Sequence, residues 1–573
     1  MHRRTSTALW LSILAASGAT GPMLSAQSTA DLVLRGGRVA TVDAEFSFAE
    51  AVAVGGYQIL ATGSNEAIAA YIDANTEVIE LDGRLAIPGF IEGHGHYLSL
   101  GRSKMILDLT TVTSWQQIIT KVAAAARLTE PGEWIFGRGW HQEKWDSTPT
   151  PNVDGVPLHD GLSEVTPDNP VVLGHASGHA AFANELAMRL AGIDSATDDP
   201  DGGTIVRDAR GRATGLLRER AQGLVREVSS AADAERSDAD REAEFRRRVE
   251  AAGAEALSNG ITSFQDAGTG FASIDRFRAM AAAGELPVRL YVMVRGPSNE
   301  EMDRLLPQYR IIPEGNDFLA VRSIKRVIDG ALGSHGAWLL ENYADMDSPG
   351  LVLVPVEELE GTATIAAKHG FQLNSHAIGD RANREVLDLY ERTFDGAGLN
   401  GRDLRWRIEH AQHIHPDDVP RFSKLGVVAS MQGVHATSDG PWVALRLGDE
   451  RAKYHTYMWR DLIDSGALVT NGTDVPVERI DPIVSFHASV TRIMADGTAF
   501  YPEQSMTRQE ALRSYTINNA YAAFEEHLKG SLEPGKLADI VVLSQDILEV
   551  PVDRIRATRV DLTIIGGESR YAR

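Results

Sequence analysis

The sequence contains no cysteine, so no disulfide can hold the fold, no thiol can act as a nucleophile, and any metal must be bound through nitrogen and oxygen. Cations are scarce relative to anions: 56 Lys and Arg stand against 79 Asp and Glu, a formal net charge of −23. That balance disfavours nucleic acid or an anionic membrane surface as a partner. A membrane span needs about 20 consecutive apolar residues, and the apolar stretch near the start is interrupted by Ser12, Ser17, Gly18 and Pro22. No cysteine follows that stretch to carry a lipid, no GxxxxGK[ST] nucleotide loop occurs, and there is no internal repeat or low-complexity tract. What is there, 43% hydrophobic and 24% charged residues over 573 positions, is ordinary globular composition with enough apolar material for a large core.

The first residues divide into a basic start (His2, Arg3, Arg4), an apolar stretch over 8–16 and a small-residue exit, Leu24-Ser25-Ala26 before Gln27. This is the pattern of a cleavable secretory signal over 1–26, and it predicts a periplasmic or secreted chain with no membrane anchor after cleavage. Beyond it, short β-rich runs punctuated by glycine fill 27–84, and the same texture returns over 530–573. Two β-rich ends bracketing a long middle predict one composite β-sandwich. Between them, over 85–529, short apolar runs alternate with helical stretches. The runs are 85–91, 261–265, 289–294, 324–328, 371–375, 405–409, 427–430 and 468–471. Such an alternation predicts an α/β fold, a (β/α)8 TIM barrel whose chemistry sits at the carboxyl ends of its strands. The gap between the first two runs, about 100–260, is too long for one βα unit and predicts an inserted lobe or lid. Its last part, 231–257, is rich in Ala, Glu and Arg and reads as a helix entering the second strand.

The candidate ligands stand where that rule places chemistry. His94-Gly95-His96 follows the first run, and residues two apart on an extended segment project to one side, so both imidazoles can reach one ion. His376, His410 and Asp474 each close a later run. Imidazole and carboxylate donors suit Zn2+ most simply, with Mn, Fe or Co allowed by ligand type.

Six segments in order resemble a known family: Ile87-Pro88-Gly89-Phe90-Ile91-Glu92-Gly93-His94-Gly95-His96; Ile324-Lys325-Arg326-Val327-Ile328-Asp329-Gly330; His376-Ala377-Ile378-Gly379-Asp380-Arg381-Ala382-Asn383; Arg407-Ile408-Glu409-His410-Ala411-Gln412; Gly472-Thr473-Asp474-Val475-Pro476; and Leu532-Glu533-Pro534-Gly535-Lys536-Leu537-Ala538-Asp539. The chain resembles the amidohydrolase superfamily and, within it, the amidohydrolase 3, YtcJ-like group. The resemblance implies a barrel with a β-sandwich built from both chain ends and a centre of one or two Zn2+ ions. It implies His94, His96 and Asp474 at one metal, His376 and His410 at the other, and Lys325 between them as a carbamate; burial would lower the lysine pKa enough for that chemistry. The metals would bring the pKa of a bound water towards about 7, and Asp474 would be the catalytic residue that passes its proton to the leaving nitrogen.

Gly137-Arg138-Gly139-Trp140-His141 and Ser177-Gly178-His179-Ala180, in the insertion, resemble family segments that face the metal centre; Ser177 stands where many relatives have Asp. Trp140, His179, Asp329 and Arg381 are the substrate-binding candidates, and His175, His335 and His413 are further ones. The implied activity is hydrolysis of a non-peptide C–N bond in a small-molecule amide, carbamate or cyclic amide. Deamination of an amino-substituted ring and ester or lactone hydrolysis use the same attacking group. A binding protein that kept barrel and metal is the reading from a different class. The pattern leaves monomer and homo-oligomer both open.

Overall fold

A computed structural model describes residues 29–573 except 143, 144, 177, 179, 202 and 235. The secretory signal read over 1–26 lies outside the described residues, as does His179. Among the described residues no helix is long and apolar enough to cross a membrane.

The centre is an eight-stranded sheet in which every neighbouring pair is parallel: Phe90–Gly95, Ile261–Thr269, Arg289–Val294, Leu319–Val327, Gln372–Ala377, Arg407–His410, Val428–Gln432 and Val469–Gly472, in chain order around the sheet. These are the first to eighth barrel strands. Strands covered on both faces carry continuous apolar runs, and Arg289–Val294 is buried at every position. Helices such as Val356–His369 and Asp380–Ala397 follow their strands, each stopped by a left-handed glycine, Gly370 and Gly398.

The barrel does not close by a continuous ladder between its first and eighth strands. Backbone bonds join their carboxyl ends, Asp474 N–H to the His94 carbonyl at 2.7 Å and His96 N–H to the Val475 carbonyl at 2.7 Å. Side chains fill the rest of the seam. Asn519 Nδ2 donates to the carbonyls of Ile91 and Asn471 at 2.7 and 2.8 Å, and Glu92 accepts from the Thr473 backbone at 2.6 Å and hydroxyl at 3.1 Å. Gly93 is required there, because a Cβ would lie 2.4 Å from the Asn471 carbonyl oxygen.

The run 85–91, read from sequence as one barrel strand, is two strands. Leu85–Pro88 pairs antiparallel with Ile540–Leu543 in a six-stranded sheet that also takes Arg38–Ala40, Phe48–Ala49, Val560–Ile565 and Glu568–Ala572. Pro88 offers no N–H to extend that ladder. Gly89 passes so close to Thr262 that a Cβ would sit 2.1 Å from its hydroxyl, and the chain turns there into the barrel. A four-stranded sheet of Leu32–Arg35, Ala51–Gly55, Gln58–Gly63 and Glu77–Glu80 packs on the six-stranded one through Leu34, Val52, Val54, Ala86, Ile540 and Ile564. Both ends of the chain therefore build the sandwich.

The insertion folds as a lobe with its own mixed sheet: Leu107–Asp108, Ile135–Trp140, Val171–His175, Ala180–Ala183, Gly203–Arg207 and Ala213–Glu219. Its core is formed by Leu109, Trp115, Ile118, Trp140, Leu173 and Phe182. The helix Asp238–Ser258 then returns the chain to the second barrel strand.

Sandwich and barrel are tied by a buried ion pair. Arg289, at the start of the third barrel strand, donates to both oxygens of Asp539 at 2.8 and 3.0 Å, and the Gly566 N–H adds a third bond to that carboxylate at 2.9 Å. Removing one partner of a buried pair strands the other charge, which costs roughly 3–5 kcal/mol. Asp539→Asn is therefore expected to lower the thermal unfolding temperature sharply while metal content in the folded fraction stays at the wild-type level. An unchanged unfolding temperature would show that the pair contributes no net stability.

Candidate metal centre

The carboxyl ends of the strands bring the sequence-predicted ligands together. One donor atom from each of His94, His410 and Asp474 lies within 4.8 Å of the others, and all three residues are buried. His96 Nε2 is 3.2 Å from Asp474 Oδ1, Lys325 Nζ is 3.3 Å from His94 Nε2, and the rings of His376 and His410 are 4.5 Å apart. His410, Ala411 and Asp474 have φ of 74°, 44° and 55°. Such strained turns persist where the surroundings over-determine them, here through the Ala411 N–H bond to Ala377 at 3.1 Å and the Asp474 N–H bond to His94.

The protonation states suit a cation. His94 hydrogen-bonds Glu409 through Nδ1, which puts the ring proton there and leaves the Nε2 lone pair for a metal. His410 is fixed in the same sense: its Nδ1 donates 2.8 Å to Gln432 Oε1, and Gln432 is oriented by its own Nε2 bond to the Ser430 carbonyl at 3.2 Å. Burial holds the His94 imidazole down at about 4, with the Lys325 charge adding to the effect. Burial likewise depresses His376 and His410 far below the ordinary range. Burial alone would push the Asp474 carboxyl up, but His96, His94 and His410 hold it well below its usual value. Neutral imidazoles and an ionised carboxylate are the forms that bind a divalent ion. His376 Nε2 is buried and makes no hydrogen bond, an orphaned donor atom of the kind a metal ligand presents. The donor set fits a divalent metal.

Lys325, 2% exposed on the fourth strand, has its amine lowered to about 8 by burial, against the opposing pull of Glu409 and Asp474.

The structure places the other candidates as follows. Trp140 is 1% exposed in the core of the lobe, its indole N–H bonded to the Leu173 carbonyl at 2.8 Å, so it is a packing residue and forms no substrate wall. Asp329 is fully buried and accepts the N–H groups of Trp338, Gly379 and Ile378 at 2.9, 2.8 and 3.0 Å. Burial raises it to about 7; those bonds tie together the loops after the fourth and fifth strands, and Oδ1 also lies 3.5 Å from His376 Nε2. Arg381 is exposed and pairs with Glu385 at 2.7 Å on its own helix. His175 hydrogen-bonds Gln142 at 3.1 Å within the lobe, His335 pairs with Asp345 at 3.0 Å, and His413 faces Thr456 at 3.2 Å.

Sequence reasoning missed Glu409 and Arg407 as a unit. Glu409 is fully buried, accepts from Ser430 Oγ at 2.8 Å and pairs with Arg407 Nε at 2.7 Å. Burial pushes its carboxyl up, yet Arg407, His94 and Lys325 together hold it far below the usual range. The available signal was two opposite charges at period two on either side of Ile408 in a short barrel strand, which points both to the same face. Asp266, buried within the second strand with Oδ1 accepting the Tyr97 N–H at 2.9 Å and Oδ2 unpartnered, was also missed.

A family model described as the amidohydrolase family matches residues 77–571. The chain is 34% identical over 560 residues to Protein LONG AFTER FAR-RED 3 of Arabidopsis thaliana, covering 95% of this chain and 92% of that one. It is 30% identical to the putative amidohydrolase YtcJ of Bacillus subtilis, over 94% of this chain and 99% of the relative. With the N-substituted formamide deformylase of Arthrobacter pascens it shares 29% identity over 95% and 98% of the two chains. The crystal structure of an uncharacterized metal-dependent hydrolase from Pyrococcus furiosus superimposes with a TM-score of 0.72 at 26% identity, covering 90% of this chain and all of that one.

Proposed function

The chain belongs to the amidohydrolase family, and from that premise we propose that it is an exported, metal-dependent hydrolase that cleaves the C–N bond of a small non-peptide amide, with N-substituted formamides the first substrates to try. The observation that carries the reading is the convergence of His94, His410 and Asp474 at the barrel mouth, one donor atom of each within 4.8 Å of the others and all three residues buried. The full-length likeness to a formamide deformylase supports the choice of bond.

In this reading His94, His96 and Asp474 hold one Zn2+ and His376 and His410 a second. A bound divalent ion supplies Lewis acidity towards the acyl oxygen and acidifies a water towards about pH 7. The chain's own groups do the rest. Asp474, held ionised by the surrounding imidazoles, takes the proton of the attacking water on its carboxylate and delivers it to the leaving nitrogen, so that the amine departs neutral. Glu409 and Gln432 keep His94 and His410 in one tautomer and orientation throughout. Lys325 as an ammonium would repel a cation at the His94 Nε2 it faces. Its neutral amine could instead add carbon dioxide and lose a proton, giving a carbamate whose carboxylate would be a further oxygen donor for the ions.

One experiment tests centre and export together: metal content and intact mass of the chain purified from an exporting host, wild type against Lys325→Ala. The expected result is about two metals per wild-type chain, a mass lacking residues 1–26 and carrying the carbamate on Lys325, and a clear loss of metal in the variant. One metal or fewer in wild type, retained by Lys325→Ala, would overturn the bridged centre. A full-length mass would overturn cleavage of the signal.

A further inference from the structure

His435 stands beside the centre with no part in it so far. It lies in the first turn of the helix Gly433–Leu447, directly after the seventh barrel strand, and is 6% exposed. Its ring runs nearly parallel to that of the candidate ligand His410, 8° between planes and 6.3 Å between centroids. One corner is committed, since Gln412 Nε2 lies 3.1 Å from Nδ1 and donates to it. The ring proton of the neutral imidazole then sits on Nε2, and Nε2 is buried with no hydrogen-bond partner. A buried donor left unpaired costs on the order of 1–3 kcal/mol, so a donor kept in this state beside a reaction centre points to an acceptor that arrives with the ligand.

The surrounding backbone favours negative charge at the same place. The helix presents the positive end of its dipole there. Its first amides are pinned, Gly433 N–H to Asn471 Oδ1 at 2.8 Å and Val434 N–H to Ser485 Oγ at 3.1 Å, so the platform carrying His435 is rigid. Asp439, one turn further along, takes the Tyr457 hydroxyl at 2.7 Å.

We propose that His435 is a substrate-contacting residue that donates a hydrogen bond from Nε2 to the acyl oxygen, stabilising the negative charge that develops on it. This rests on the acyl-transfer reading above and deepens it. Preorganised donors aimed at developing charge are worth about 10²–10³-fold in kcat when one is removed.

Formate carries the same acyl oxygen chemistry and needs no turnover, so it is the probe. Its binding is measured by calorimetry on the metal-containing enzyme as wild type, His435→Ala and His435→Gln, alongside metal content and kcat on an N-substituted formamide. The expected result is a tenfold or greater loss of formate affinity in His435→Ala, partial recovery in His435→Gln through its amide N–H, equal metal content in all three, and a kcat loss of about 10²–10³-fold with KM nearly unchanged. Should His435→Ala fail to fold, His435→Asn, whose amide is too short to reach, must show the same loss. Formate affinity within twofold of wild type, no formate binding by wild type, or loss of metal with His435 would each overturn the assignment. A wild type inactive on formamides whose formate affinity still falls tenfold in the variant leaves His435 standing and refutes the formamide reading instead.

Discussion

Asp474→Asn is expected to reduce kcat by about 10²–10⁴-fold, the range for loss of a positioned acid–base group, with a smaller change in KM. Asparagine keeps the shape and an oxygen near His96, which lies 3.2 Å from Asp474 Oδ1, but it cannot take a proton. The substitution thus separates two parts of the residue's proposed work. If metal content stays near wild type and kcat collapses, proton transfer dominates. A loss of less than tenfold with the metal in place would remove Asp474 from the proton path and leave it as a ligand only.

Glu409→Gln is expected to act on metal and fold at once. Groups behind a metal-binding histidine typically govern affinity by 10–100-fold, and Glu409 is the partner of His94 Nδ1. It is also the counter-charge of Arg407, which is fully buried and otherwise spends its donors on Gln265, the Gly93 carbonyl and Ser430 at 2.5, 2.9 and 2.8 Å. Leaving that guanidinium unpaired costs roughly 3–5 kcal/mol. The variant should therefore bind zinc at least tenfold more weakly in a chelator competition and unfold at a distinctly lower temperature. Replacing Arg407 and Glu409 together by apolar residues of similar volume should recover much of the stability and none of the metal affinity. Recovery of both would mean that Glu409 supports the barrel and has no hold on His94.

The barrel was legible in the sequence because a parallel strand covered on both faces writes itself as a short apolar run; 289–294 and the strand Arg289–Val294 coincide. The clustering of the candidates was legible because each closes such a run, and His94, His410 and Asp474 meet in space as that placement implies. The boundary at Gly89 was not, since 85–91 is apolar on both sides of the turn and only contact with Thr262 separates sandwich from barrel. Trp140 illustrates a different limit: a tryptophan in a lobe reads the same whether it lines a pocket or fills a core, and the fold chose the core. Asp329 sat in a matching motif, but its carboxylate is held by one backbone group further along its own loop and two from the loop after the fifth strand. Glu409 and His435 owe their significance to neighbours 315 and 23 residues away in sequence, a relation that no local pattern encodes.

The sandwich sheet sets an order of events in the life of the chain. Leu85–Pro88 has Arg38–Ala40 beside it early, but its other edge waits for Ile540–Leu543, and that strand in turn for Val560–Ile565. At roughly 5–20 residues per second of synthesis, the wait lasts on the order of half a minute to a minute and a half. During that interval the edge strand is open to wrong partners, and the turn at Gly89 ahead of His94 and His96 lacks the bond from its N–H to the Asp539 carbonyl at 2.8 Å. The strand that leads into the reaction centre is therefore held from both ends of the chain, by Arg38–Ala40 on one side and Ile540–Leu543 on the other.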